Sequence, residues 1–230
     1  MPRLLTLLCV FLSALLLAAC GPEEEGSTAG DATPAATPSP TPEAEQAGCK
    51  TVAEPKAKPD GDLAKPKLVL DAAKTYTATV TTSCGAFDIA LDVKQAPKTA
   101  ASFVSLARKD FFTQTIFHRI VPGFVIQGGD PTGTGTGGPG YTVTEKPPAD
   151  AAYTKGVVAM AKGGAEPAGA SGSQFYVVTG EDAQLPPDYA LLGKVTKGLD
   201  VVETIGAVAT GPDDRPTSPV VIDSVTVAEG

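Results

Sequence analysis

The chain has 230 residues, 42% of them hydrophobic and 19% charged, which is enough apolar material for a core and unlike a wholly disordered composition. A net charge of −8 argues against a nucleic-acid partner held on a basic surface. The single histidine, His118, excludes HExxH zinc sites and every multi-histidine metal site, and the absence of asparagine excludes N-glycosylation.

Arg3 precedes an uncharged run from Leu4 to Ala19. That run is short for a membrane span of roughly 20 residues and suits a signal-peptide core. It ends in Leu17-Ala18-Ala19-Cys20, which resembles the lipobox of bacterial lipoproteins. The resemblance implies that residues 1–19 are removed and that Cys20 is lipidated. A plain secretory signal or an uncleaved anchor is the alternative. The expected location is extracytoplasmic, on a bacterial membrane through the lipid on Cys20.

Residues 20–66 are Ala, Pro, Thr, Glu and Gly with little else, and Thr33 to Pro42 has no apolar periodicity. This composition predicts a disordered, solvated tether. Apolar patterning starts at Lys67, so residues 67–230 are expected to form one domain. Two cysteines remain after the signal and anchor, Cys49 and Cys84. In an exported chain they favour a disulfide, with a pair of free thiols as the alternative.

Within the domain, Tyr76 to Thr82 alternates, a turn follows at Ser83-Cys84-Gly85, and Phe87 to Asp92 alternates again, which predicts a hairpin. Pro97 fits the first turn of a helix that carries Phe103, Leu106 and Ala107 on one side and ends before Asp110. Ile116 to Ile126 is strand-like with a break at Pro122-Gly123. Short strands are expected at 156–161, 174–179 and 190–195, a second helix over Leu199, Val202 and Ile205, and a closing strand at 220–227. Many strands with two helices suggest a mainly β domain, a closed barrel with helices at its ends.

The stretch Phe117-His118-Arg119-Ile120-Val121-Pro122-Gly123-Phe124-Val125-Ile126-Gln127-Gly128-Gly129-Asp130 resembles the signature of cyclophilin-type peptidyl-prolyl cis-trans isomerases. Ala96-Pro97-Lys98-Thr99, Gly172-Ser173-Gln174-Phe175-Tyr176 and Leu192-Gly193-Lys194-Val195 agree in order and spacing, so the likeness spans about residues 76–227. It implies an eight-stranded antiparallel barrel capped by two helices, acting on X–Pro bonds of unfolded or partly folded polypeptides.

The chemistry is consistent with the residues themselves. Peptide-bond rotation faces a barrier near 20 kcal/mol from amide resonance, and no proton or electron need move. No cofactor or metal is therefore expected. A fixed guanidinium suits the twisted amide, whose proline nitrogen accepts a hydrogen bond better as resonance is lost. Arg119 is the expected catalytic residue. The resemblance places Phe124, Val125, Tyr176 and Leu185 around the proline ring, Gln127, Ala161 and Gln174 against the neighbouring backbone, and Tyr189 among the substrate-binding positions. His118 is expected to be structural. The Gly133 to Gly140 stretch contains formal GxGxxG matches but leads to Pro139 and a strand-like segment, so it reads as a surface loop and not a nucleotide site.

Tyr189 stands where many eukaryotic members of that family have histidine, Gln184 where many have tryptophan, and Lys162 where asparagine is common. The leading expectation is an enzyme that assists the folding of exported proteins, monomeric by default. A proline-segment binding chaperone or scaffold with little turnover is the alternative.

Overall fold

The structure, a computed structural model, describes residues 48–230. The expected signal at 1–19, the expected lipidation at Cys20 and the first part of the expected tether lie outside the described residues.

The domain opens with a hairpin, β1 (Tyr76–Thr82) and β2 (Gly85–Leu91). Strict burial alternation in β1 turns Tyr76, Ala78, Val80 and Thr82 inward. Helix α1 (Pro97–Ala107) starts with proline at its first turn and has no side-chain N-cap of its own. The Glu145 carboxylate, from a distant segment, accepts the otherwise unpaired first-turn Thr99 N–H at 2.9 Å instead. Next come β3 (Thr115–Val121) and β4 (Val125–Asp130), which fold back at Pro122-Gly123. The short β5 (Val143–Thr144), β6 (Val157–Met160), β7 (Ala170–Ser171), β8 (Phe175–Val178) and β9 (Leu191–Lys197) follow. Helix α2 (Leu199–Gly206), a 3₁₀ turn at Pro212–Asp214 and β10 (Val221–Glu229) complete the chain.

Eight strands close a barrel in the order β1-β10-β3-β4-β8-β6-β9-β2, every neighbour antiparallel, while β5 and β7 pair separately. The mainly β, eight-stranded barrel with two helices is the architecture expected from the sequence. The β7 pairing was not, because two residues are too few to show a period.

Aromatic side chains fill the interior. Phe103 of α1 stacks on Phe112 at 4.8 Å between centroids and meets Phe175 of β8 edge-on at 5.7 Å. Phe117 of β3 reaches the same Phe175 ring at 6.1 Å. These offset and edge contacts suit the ring quadrupole and tie α1 to strands distant in sequence.

Two features depart from the sequence expectation. The first is the domain boundary. Residues 48–66, assigned to the tether, lie along the barrel as an extended arm. Cys49 is bonded to Cys84 at the β1–β2 turn, and Cys49, Leu63 and Leu68 pack against the core. Backbone hydrogen bonds run from Lys58 N–H to the Pro131 carbonyl, from Gly61 to Gly138 and from Leu63 to Pro139, each 2.9 Å. Backbone hydrogen bonds carry part of this docking, and composition does not report them.

The second is a β-bulge at His118. Phe117 pairs with Gly128 and Arg119 with Gln127, so His118 is left without a partner on β4. The bulge resets the alternation: Phe117 and Ile120 enter the core while Arg119 points outward. The His118 ring is buried, with neither nitrogen hydrogen-bonded. Burial pushes its pKa down, against the pull of Asp130 and with the push of Arg215 and Arg119.

Two expectations follow. The disulfide closes 35 residues of chain, so reduction or a Cys49→Ser/Cys84→Ser double variant should lower unfolding free energy by about 3–4 kcal/mol in the chain-entropy model; denaturant titration with and without reductant checks this. Below the unfolded histidine pKa of about 6.5 the unfolded chain takes up a proton that folded His118 resists, so its contribution to stability is lost as pH falls below that value. Melting temperatures from pH 8 to 5 should show a slope that His118→Leu reduces.

Candidate active site

Strand alternation gives β4 and β8 two working faces. Ile126, Phe175 and Val177 enter the main core, while Val125, Tyr176 and Val178 join a separate apolar cluster on the other side with Tyr153 and Ala159. Phe124, Ala161, Leu185 and Tyr189 pack against that second cluster, half-buried. The four residues expected around a proline ring therefore meet in one patch, together with Tyr189, although they come from separate stretches of chain.

Tyr153, from the loop before β6, was not singled out in the sequence. Its hydroxyl donates to the Tyr189 carbonyl at 2.6 Å and accepts from the Tyr189 N–H at 3.0 Å. The ring of Tyr189 then stands edge-on to Tyr153 and Tyr176, at 6.0 and 5.7 Å. A lone tyrosine in a loop carries no periodic signal, so only the fold identifies this support. The Tyr176 hydroxyl is buried without a partner, and burial, with Tyr153 and Tyr189 nearby, pushes its pKa far up, which keeps it neutral.

Beside the patch runs a groove of about 740 Å³ whose lining includes Gln127, Ala161, Gln174 and the glycine-rich loop from Gly135 to Gly140. Ala161 belongs to both regions and marks their junction. The Gln127 side-chain amide donates to the Gln174 carbonyl oxygen at 3.0 Å, and the Gln174 amide donates to the Gly135 and Gly137 carbonyls at 3.0 and 2.9 Å. These amides form a fixed polar floor.

The loop itself is held by Asp130, which is fully buried. Its carboxylate accepts the Thr132 N–H and hydroxyl, the Gly135 N–H and the Gly137 N–H, between 2.6 and 3.2 Å. Burial alone would raise the carboxyl pKa, but donation from Thr132, Gly137 and Gly135 outweighs it and the net shift is downward. A Cβ at Gly137 would fall 2.2 Å from the carboxylate, so this position admits no side chain. Asp130 lies in the signature stretch, yet its role shows only once the loop is closed around it.

Arg119 stands opposite Gln127 in the β3–β4 register. Its Nε and Nη2 each lie 3.1 Å from Asp214 Oδ2 in the 3₁₀ turn. With side chains 37% and 44% exposed, this pair adds little to stability, and its effect is to fix the direction of the guanidinium. Asp214 was not recognised in the sequence, because 95 residues separate it from Arg119. Lys162 lines the groove, where its ammonium pairs with Asp188 at 2.8 Å, and that bond, stronger than the cost of burial, raises its pKa. Gln184 is exposed and donates its backbone N–H to Asp182.

A family model described as "Cyclophilin type peptidyl-prolyl cis-trans isomerase/CLD" matches residues 77–227. The peptidyl-prolyl cis-trans isomerase A of Mycobacterium tuberculosis is 42% identical over 172 residues, covering 67% of this chain and 93% of that protein. The peptidyl-prolyl cis-trans isomerase-like 1 of Aspergillus oryzae is 38% identical over 152 residues, covering 64% of this chain and 92% of its own length. The crystal structure of a Cryptosporidium parvum cyclophilin type peptidyl-prolyl cis-trans isomerase superposes with a TM-score of 0.63 at 29% identity, over 67% of this chain and 98% of that one. A second crystal structure of the same protein, in the presence of the dipeptide Ala-Pro, gives 0.62 at 29% identity over 66% and 98%. A shared barrel, signature and identity of this extent make the chain a member of the cyclophilin-type peptidyl-prolyl cis-trans isomerase family.

Proposed function

We propose that this cyclophilin-type isomerase speeds rotation about X–Pro bonds in exported polypeptides through Arg119, while tethered outside the cytoplasm by lipid on Cys20. The observation that carries the catalytic part is the outward-facing guanidinium of Arg119, held by Asp214 on the strand position opposite Gln127 of the amide floor. The proline ring seats among Phe124, Val125, Tyr176, Leu185 and Tyr189. The structure of the related Cryptosporidium protein in the presence of the dipeptide Ala-Pro supports a prolyl ligand here.

The step moves no proton. As the amide twists, resonance is lost and the proline nitrogen gains a lone pair, to which Arg119 donates a hydrogen bond. Gln127, with Gln174 behind it, and the Ala161 backbone hold the flanking peptide groups, so that rotation is confined to one bond. The apolar patch excludes water from the amide, which weakens its solvation in the planar ground state. Asp214 acts as a positioning residue and does not touch the substrate.

The export reading draws on the signal-like N-terminus and on the Cys49–Cys84 bond, which suits an oxidising compartment. Anchoring by the two or more acyl chains of a lipoprotein is stable where one chain is marginal.

In a protease-free assay on a short X–Pro peptide, Arg119→Ala should lower kcat/KM by about 10²–10³-fold, as loss of one preorganised donor does elsewhere. Asp214→Ala should lower kcat by about two- to fivefold with KM held, and Asp214→Asn should restore most of it. No acceleration by the intact domain sinks the isomerase mechanism. For the anchor, mass spectrometry of the full chain expressed in a bacterium should find acylated Cys20, and Cys20→Ser should release the protein from the membrane fraction; an unmodified, freely soluble chain overturns it.

A further inference from the structure

The arm ahead of β1 lies outside the residues that match the family, yet it reaches the groove. Asp60 is one of the groove-lining residues. Its Oδ1 accepts the Gly138 N–H at 2.8 Å and the Gly61 N–H at 3.1 Å. The docking is close on both sides: a Cβ at Gly61 would lie 2.7 Å from the Gly138 carbonyl oxygen, and one at Gly140 would lie 2.5 Å from the Gly61 carbonyl oxygen. Lys58 adds hydrogen bonds to the Asp110 and Phe111 carbonyls, and Glu54 pairs with Arg215 at 2.6 Å. With Cys49 bonded to Cys84, the arm is held at several points, and Asp60 is a fixed part of the groove wall.

The charges on that wall are unbalanced. The lining holds Asp60, Glu166 and Lys162, but the Lys162 ammonium is already paired with Asp188, which is not part of the lining. Among the described residues neither the Asp60 nor the Glu166 carboxylate has a salt-bridge partner, although the Lys162 ammonium donates to the Glu166 backbone carbonyl at 3.1 Å; each carboxylate accepts backbone N–H groups, Glu166 that of Gly163 at 2.6 Å. Two carboxylates thus face the space that a chain leaving the apolar patch must cross.

We propose that Asp60 is a specificity-determining residue, and that with Glu166 it makes this isomerase favour polypeptides with a lysine or arginine flanking the proline. The proposal rests on the prolyl-isomerase reading of the same groove. A long basic side chain extends from the backbone toward the wall, gaining an ion pair while its stem lies over Ala161 and the glycine loop. An acidic side chain at the same place meets like charge. The pair is partly exposed, so discrimination is modest and falls with salt.

The test uses the full mature chain, disulfide intact, and matched peptides carrying Lys, Ala or Glu on either side of X–Pro. Turnover of the Ala peptide tests the isomerase reading by itself. The Lys-to-Glu ratio of kcat/KM tests the inference, and the same ratio of peptide Kd values does so even without turnover. At low ionic strength the better-placed Lys peptide should be favoured about two- to fivefold, a preference that shrinks toward one near 0.5 M salt. Asp60→Asn keeps the Oδ1 acceptor for Gly138 but removes the charge, and should cut the ratio by about half; Asp60→Lys should reverse it. A wild-type ratio of one overturns the proposal. So does an Asp60→Asn variant that slows the Lys and Glu peptides equally, since Asp60 would then only position the loop.

Discussion

The single-residue bulge at His118 is the constraint on which the rest of the site depends. Counted by twos from Phe117, Arg119 would enter the core, where an unpaired guanidinium is costly. The extra residue shifts the count by one, keeps Ile120 inside and turns Arg119 out toward Gln127. His118 is buried there without a hydrogen bond, at a cost in stability that grows as pH falls. A scaffold position is thus slightly destabilised so that its neighbour points out of the core.

From that point, order passes outward through hydrogen bonds. Gln127 meets Gln174, Gln174 holds the Gly135 and Gly137 carbonyls, and Asp130 holds the N–H groups of the same two glycines from below. Gly138, the next residue, is taken by Asp60 of the arm. The buried carboxylate, the two amides and the arm hold one loop from three sides. That loop has glycine where a side chain would strike Asp130 or the arm, which accounts for a run that superficially matches a phosphate-binding motif.

The apolar half of the site follows from a sheet with two buried faces. Residues alternate between the aromatic interior and the outer patch, so the same strands that make the barrel stable also supply the seat for a proline ring. Tyr153 and Asp214 lie in loops and act indirectly, one by holding Tyr189 and the other by holding Arg119.

Much was legible in the sequence. Alternation in β1, the helix start at Pro97 and the turn at Pro122-Gly123 are local signals, because side-chain period and proline geometry act within a few residues. The signature around Arg119 and the ordered blocks around Pro97, Gln174 and Gly193 were enough to imply the barrel and to name the eight candidate binding positions. What only the tertiary structure decided are the relations between distant segments: the outward turn of Arg119, the Asp214 and Tyr153 supports, the β5–β7 pair, and above all the arm. The arm has no apolar period and reads as tether from residues 20 to 66, yet backbone hydrogen bonds and one disulfide dock its last part on the groove. Composition reports what side chains prefer, whereas docking through the backbone depends on which other backbone lies within reach.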